Sequence, residues 1–465
     1  MVMSFTAARS KPELVSPSRP TPRELKTLSA CDTYPALRFY ATGLEFFRCT
    51  GADDPAMAIK AALADALVYY YPMAGRLREL PLPGPGRKPQ LAVDCTAEGA
   101  VFVEAAADVR LEDLGNPPLP PFPWFQQFVC DVGDARDIVG KPLVFLQVTR
   151  LSCGGFVVGI SHCHTMADGF GIVQFLAAIT DLARGDDRPG VLPVWERELL
   201  AARDPPRVTH RHLVFEPLPV LGGHGGDTLL STPMEDMVGR CFFFGPGDVA
   251  ALRSHVQGEL GSSCTAFELI AAAMWRGRTA ALACPAGQPV RLKFTMNARG
   301  RWKRDPPLPP GFYGNAFAWP AAQAAAGELT GRPLGHAVEL LREAKRGMTD
   351  ESMASMLDLF ALRGGPPHVP DWTYVVSDIS RLPTDGMRLG WAERVGGGLP
   401  MAGDALTRLV SFHMRCRNNV GEQCIVVSMF LPKPAMVRFA EEMTNVLSPN
   451  ITVDDGQVAQ HVKGG

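Results

Sequence analysis

The chain has 465 residues, 46% of them apolar, with 46 Lys+Arg set against 48 Asp+Glu. That composition supplies a sizeable core, which excludes a disordered chain, and a formal net charge of −2 provides no global field to recruit nucleic acid or an anionic membrane. Forty-six glycines and 41 prolines stay below the share of roughly 25–30% that marks low complexity, yet they predict long and numerous loops. Eleven cysteines, an odd number with no C-x-x-C pair, argue against a disulfide framework or a structural zinc site and favour a reducing compartment.

Residues 1–10 contain no apolar stretch of signal-peptide length, and apolar runs such as 424–431 are too short to span a bilayer, so a cytoplasmic protein is expected. No period of 20–50 residues repeats. Residues 56–71 carry apolar side chains at helical spacing and stop at Tyr71-Pro72. Residues 91–93 and 100–103 read as strands, 117–123 as a stiff loop with five prolines, and 143–150 and 156–160 as further strands. Helical spacing returns over 170–183.

A polar, proline-bearing stretch at 204–219, followed by the glycine-rich 221–227, is the best linker candidate and places a domain boundary near residue 215. The expected domains are 1–215 and 216–465. In the second, 241–244, 290–296, 374–376 and 424–431 read as strands, and 265–279, 334–347 and 434–447 as helices. The helix at 265 opens with Thr265-Ala266-Phe267-Glu268, a T-x-x-E capping box. Each half is therefore mixed α/β.

The most informative segment runs from Gly155 to Phe170 and contains His162, His164, Asp168 and Gly169. It reads as a buried strand that breaks into a turn and feeds a helix, the rigid but cleft-facing placement a general base needs. Neutral imidazole takes up and returns a proton near neutral pH. Two other readings stay open on the residues alone. In one, both histidines are core residues; in the other, His162, His164 and Asp168 bind a metal, since i, i+2 spacing in a strand puts both rings on one face. No further Cys/His/Asp cluster supplies a fourth ligand.

His164-Thr165-Met166-Ala167-Asp168-Gly169 resembles the H-x-x-x-D-G motif of the plant BAHD acyl-CoA-dependent acyltransferases. The resemblance extends in order through Leu28-Ser29, Tyr71-Pro72-Met73-Ala74-Gly75-Arg76, Asp94-Cys95, Trp275-Arg276, Asn297-Ala298-Arg299 and Tyr313-Gly314-Asn315, covering about residues 12 to 447. Leu192 to Leu200 and Ala202 to Arg207 resemble the branch that esterifies alcohols, including benzyl-alcohol and taxane acyltransferases. The resemblance implies two similar-sized mixed α/β domains of the chloramphenicol acetyltransferase type, with the active-site channel at their interface. It also implies an ester-forming enzyme of plant secondary metabolism, a monomer in which His164 is the catalytic base and no acyl-enzyme forms. Asp168 would be structural, paired with Arg299.

The implied substrates are an acyl-CoA, with benzoyl, hydroxycinnamoyl or acetyl as the acyl group, and a small-molecule alcohol; no permanent cofactor, metal, nucleic acid or membrane is implied. Ser377 is a candidate oxyanion or substrate contact. Arg301, Lys303 and Arg304, with the helix start at Thr265, are candidates for the CoA phosphates. The family's second motif, D-F-G-W-G, is here Arg388-Leu389-Gly390-Trp391-Ala392: Gly390 and Trp391 are kept, while the acid and the last glycine are replaced. Arg388 in place of an acid could leave like charges facing, and Ala392 is unsuited to a backbone with positive φ. The motif is expected to shape the second domain. A catalytically weak ligand- or partner-binding protein is the alternative these departures raise.

Overall fold

In a computed structural model of the chain, the described residues are 4–51, 54–81, 90–219, 228–363, 372–401, 409–418 and 420–447. The glycine-rich 221–227 stretch lies outside them. Two large sheets organise the molecule. The first has seven strands, in the order Ala7–Arg9, Ala100–Ala107, Val144–Leu151, Phe156–Cys163, Tyr40–Cys49 and Ala392–Gly398, with Glu13–Val15 also paired to Ala100–Ala107. The second has six: Met237–Phe244, Gln423–Pro432, Val410–Arg417, Thr373–Asp378, Pro289–Phe294 and Ala321–Ala325. This is the expected mixed α/β architecture, with three neighbouring strands of the second sheet, Val410–Arg417, Thr373–Asp378 and Pro289–Phe294, running parallel.

All eight residues of Phe156–Cys163 are buried, because the strand lies inside the sheet with its faces covered; its sequence is accordingly a continuous apolar run rather than an alternating one. The helices Pro55–Tyr69 and Gly169–Ala183 pack on this sheet and share one core with it. Asp54 caps the first helix by accepting from the Ala56 amide at 3.0 Å, with Pro55 at the first helical position. In the second helix Ile172, Phe175, Leu176 and Ile179 are buried at the spacing of one face. A second core, gathered around Trp275 of the helix Ala266–Ala281, backs the other sheet. A third, with Tyr34, Trp319 and Phe360, holds residues from both halves of the chain.

One expectation is corrected. The Arg388–Ala392 stretch packs on the first sheet, not within the second domain: Trp391 stacks on Phe156 at 5.7 Å and donates to the Ala183 carbonyl at 3.3 Å. The strand that follows, Ala392–Gly398, pairs antiparallel with Tyr40–Cys49. Without it that strand would present an open edge of backbone donors and acceptors, so a segment from beyond residue 215 closes the sheet. Ala392 begins a strand and is not among the residues with positive φ, so alanine costs no backbone strain there. At Arg388 itself, Nε donates to the Asp385 carbonyl at 3.0 Å. Arg184 donates to the Arg388 carbonyl at 2.8 Å, and its own charge is met by Asp181 and Asp186.

Candidate active site

His164 stands one residue beyond the end of Phe156–Cys163, in the turn that leads to the helix Gly169–Ala183. Its backbone is pinned by its amide donating to the Phe39 carbonyl at 2.9 Å, and Thr165 Oγ1 ties the turn to the Leu37 carbonyl at 3.2 Å. The half-buried rings of Phe39 and Phe317 flank the imidazole at 5.2 and 6.5 Å. Burial lowers the pKa of His164 and outweighs the opposing influence of its own backbone, of Asp168 and of the Asn315 side chain, so the ring is neutral at physiological pH.

His162 is different. It is fully buried, its Nε2 lies 3.3 Å from the Ala167 carbonyl, and burial together with the neighbouring His164 pushes its pKa down to about 3. It is a core histidine.

Asp168 accepts four hydrogen bonds. Its Oδ1 accepts from the Gly171 amide at 3.0 Å and from Arg299 Nη2 at 3.1 Å; Oδ2 accepts from Arg299 Nη1 at 2.8 Å and from the Ala316 amide at 3.0 Å. Burial alone would raise the carboxyl pKa, but the Arg299 charge and these hydrogen bonds carry it below the ordinary value. The same carboxylate caps the helix Gly169–Ala183. Arg299 also donates to the carbonyls of Phe312 at 3.1 Å and Gly314 at 2.6 Å. The expected Asp168–Arg299 pairing is therefore present and links the helix to the loop beyond Pro289–Phe294. With both carboxylate oxygens held and His162 facing a carbonyl, the trio offers no convergent metal site, and among the described residues no group of three His, Cys, Asp or Glu side chains does.

Sequence reasoning missed the second support. Asp32 and Arg197 form a completely buried ion pair at 2.9 Å directly behind the His164 turn. Arg197 Nη2 donates to the Met166 carbonyl at 2.8 Å, while its guanidinium lies over Trp195 at 4.4 Å and Tyr313 at 5.0 Å. A side chain at Gly314 would collide with that guanidinium, which explains the glycine of Tyr313-Gly314-Asn315. Asn315 Nδ2 donates to Asp32 Oδ1 at 2.8 Å and to the carbonyls of His164 and Thr165 at 2.9 and 3.2 Å. The available signal was Ser29-Ala30-Cys31-Asp32: an S-x-x-D spacing at which the Ser29 hydroxyl donates to Asp32 Oδ2 at 2.7 Å and accepts from the Asp32 amide at 3.1 Å.

The remaining candidates are dispersed. Thr265 caps its helix as read, exchanging hydrogen bonds with Glu268, whose carboxylate is met by Lys345 and Arg342. Arg301 and Lys303 are exposed, whereas Arg304 is half-buried across Trp302 at 5.0 Å. Ser377 is half-buried in Thr373–Asp378, opposite Phe412. Gly390 is exposed beside Arg184.

The fold recurs in known proteins. A profile of the transferase family matches residues 6–446. The chain belongs to this family, the BAHD acyltransferases. Among relatives, this acyltransferase is 51% identical to acyl transferase 1 of Oryza sativa subsp. japonica, over 96% of this chain and 97% of the relative. It is 43% identical to benzyl alcohol O-benzoyltransferase of Nicotiana tabacum, over 98% and 96%, and 46% identical to spermidine hydroxycinnamoyltransferase 1 of Oryza sativa subsp. japonica, over 90% and 94%. Among solved structures, vinorine synthase superposes on the BAHD chain with a TM-score of 0.71 at 21% identity, covering 95% of this chain and 98% of that one. F. graminearum TRI101, complexed with ethyl coenzyme A, gives 0.64 at 15% identity, covering 90% and 97%. No helix among the described residues is long and apolar enough to cross a membrane.

Proposed function

We propose that this acyltransferase moves an acyl group, benzoyl, hydroxycinnamoyl or acetyl, from CoA to an alcohol hydroxyl, with His164 as general base. The observation that carries this reading is a neutral imidazole at a strand end, its backbone fixed by two buried ion-pair networks and its ring between half-buried phenylalanines. His164 takes the proton of the acceptor hydroxyl as the oxygen attacks the thioester carbonyl. The tetrahedral intermediate then collapses, the C–S bond breaks, and the imidazolium protonates the CoA thiolate. No acyl-enzyme forms.

Ser377 is the hydroxyl we assign to the oxyanion. It lies towards the carboxyl end of a parallel strand, the end at which open α/β sheets place their ligands. For the CoA phosphates we assign the exposed Arg301 and Lys303 and the helix start at Thr265, since Arg299 is committed to Asp168. An alcohol suits the site better than a polyamine. The two carboxylates whose charges act on His164, Asp32 and Asp168, both face onto arginines, leaving neither to receive an ammonium group. The alcohol reading also draws on the benzyl alcohol O-benzoyltransferase relative.

The test is CoA-thiol release with acetyl-, benzoyl- and hydroxycinnamoyl-CoA against primary alcohols, with spermidine as the nitrogen acceptor. Turnover with an alcohol and little with spermidine is expected. Turnover with spermidine alone would overturn the acceptor assignment, and CoA binding without turnover on any pair would point to a ligand-binding protein.

A further inference from the structure

We propose that Cys416 and Cys424 form a reversible thiol–disulfide site, closed by a peroxide and opened by thiols, within the hairpin of Val410–Arg417 and Gln423–Pro432. The antiparallel register sets the two residues directly opposite each other. Their sulfurs are 3.1 Å apart, about 1 Å beyond the bonded separation of about 2.05 Å. Directly opposed residues of an antiparallel pair have Cα atoms about 4.5–5.5 Å apart, inside the range of about 4.4–6.8 Å that disulfides span. Closing the bond therefore asks for side-chain rotation and no backbone movement.

The register cannot easily slip. The Asn418 amide donates to the Glu422 carbonyl at 2.9 Å, and Asn418 Oδ1 accepts from the amides of Val420 at 3.1 Å and Glu422 at 2.9 Å, which fixes the turn beyond the cysteines. Access is suited to a small oxidant. Cys416 is half-buried between the exposed Arg415 and Arg417, while Cys424 is buried beneath it.

The pair is also chemically unlike the buried thiols Cys95 and Cys163. Cys95 and Cys163 are pushed up to about 12 by burial, which keeps them protonated. The hydrogen bond from Cys416 instead lowers Cys424, and Cys416 rises correspondingly. The Cys424 thiolate attacks a peroxide oxygen, the O–O bond breaks, and the hydroxide leaving group takes a proton from solvent; Cys424 is now a sulfenic acid. The Cys416 sulfur then attacks the Cys424 sulfur. An S–S bond forms, the S–O bond breaks, and a second water leaves with the Cys416 proton. Overall two thiols are oxidised by two electrons and one hydrogen peroxide is reduced to two waters.

The experiment uses the purified, fully reduced chain exposed to hydrogen peroxide, then denatured, alkylated and digested without reductant. Peptides joined through Cys416 and Cys424 are expected, with alkylation of both falling about tenfold while Cys163 stays alkylated, and with dithiothreitol restoring both thiols. In Cys416→Ser, which lacks the resolving sulfur, dimedone should label Cys424. Full alkylation of Cys416 and Cys424 after peroxide, or joining of either to a different cysteine, would overturn the proposal. Because the decisive readout is the wild-type chain, a variant that fails to fold does not remove the test.

Discussion

Replacing Asp168 with asparagine keeps the shape and the helix-capping ability of the residue, since asparagine caps about as well as aspartate, and removes its charge. Two losses follow from the geometry. Both carboxylate oxygens accept two hydrogen bonds each, so whichever position the amide nitrogen takes, a donor faces two donors: Gly171 and Arg299 on one side, Ala316 and Arg299 on the other. The Arg299 guanidinium, only 19% exposed, also loses its counter-charge. Removing one partner of a buried ion pair costs about 3–5 kcal/mol. At about 2–4 °C per kcal/mol for a unit of 150–250 residues, the melting temperature should fall by about 6–20 °C.

The assay is denaturant and thermal unfolding of wild type, Asp168→Asn, Arg299→Gln and the double variant. The pair should show coupling, with the double variant less destabilised than the sum of the singles. Acid titration adds a signed check. Because the folded carboxyl is held below its ordinary value, its contribution is full above about pH 4 to 5 and is lost as the pH falls through the lower, folded pKa. An Asp168→Asn chain that unfolds at the wild-type midpoint would refute the structural role assigned here.

Asn315→Ala leaves buried acceptors of the His164 turn unmet and should cost about 1–3 kcal/mol, with kcat falling more than KM rises; an unchanged kcat would show that the turn does not depend on it. Gly171→Ala drives a methyl group into the Tyr313 carbonyl, and a loss of about 1–3 kcal/mol in urea unfolding is expected. Burial lowers the His164 pKa, so kcat/KM should be level near neutrality and fall only as the pH drops below about 6.5, where an ordinary histidine titrates. A pH–rate profile already falling above that value would contradict the environment described.

Much of this was legible in the sequence because the signals were local. The T-x-x-E spacing marked the helix start at Thr265, and the continuous apolar run before His162 marked a strand buried on both faces. The His164 turn could be read because strand, turn and helix are contiguous. What could not be read depends on distant segments meeting. The strand Tyr40–Cys49, interior to the first sheet, carries Gly43 and Glu45 and lacks a clean two-residue alternation; Glu45 is tolerated there because Arg394, from the strand that closes the sheet, donates to it at 2.6 Å. The return of Ala392–Gly398 to the first sheet is likewise a long-range pairing with no local signature. Asp32 and Arg197 lie 165 residues apart, and only folding shows that they stand together behind the His164 turn.

The most direct measurement of the central claim compares kcat of wild type and His164→Ala on a productive acyl-CoA and alcohol pair, alongside CoA affinity and unfolding midpoint. Loss of a general base should lower kcat by about 10²–10⁴ while affinity and midpoint hold, since the hydrogen bonds of Asn315 and Arg197 to the backbone carbonyls of the turn do not require the imidazole. Turnover at the wild-type rate in a folded His164→Ala chain would contradict the account.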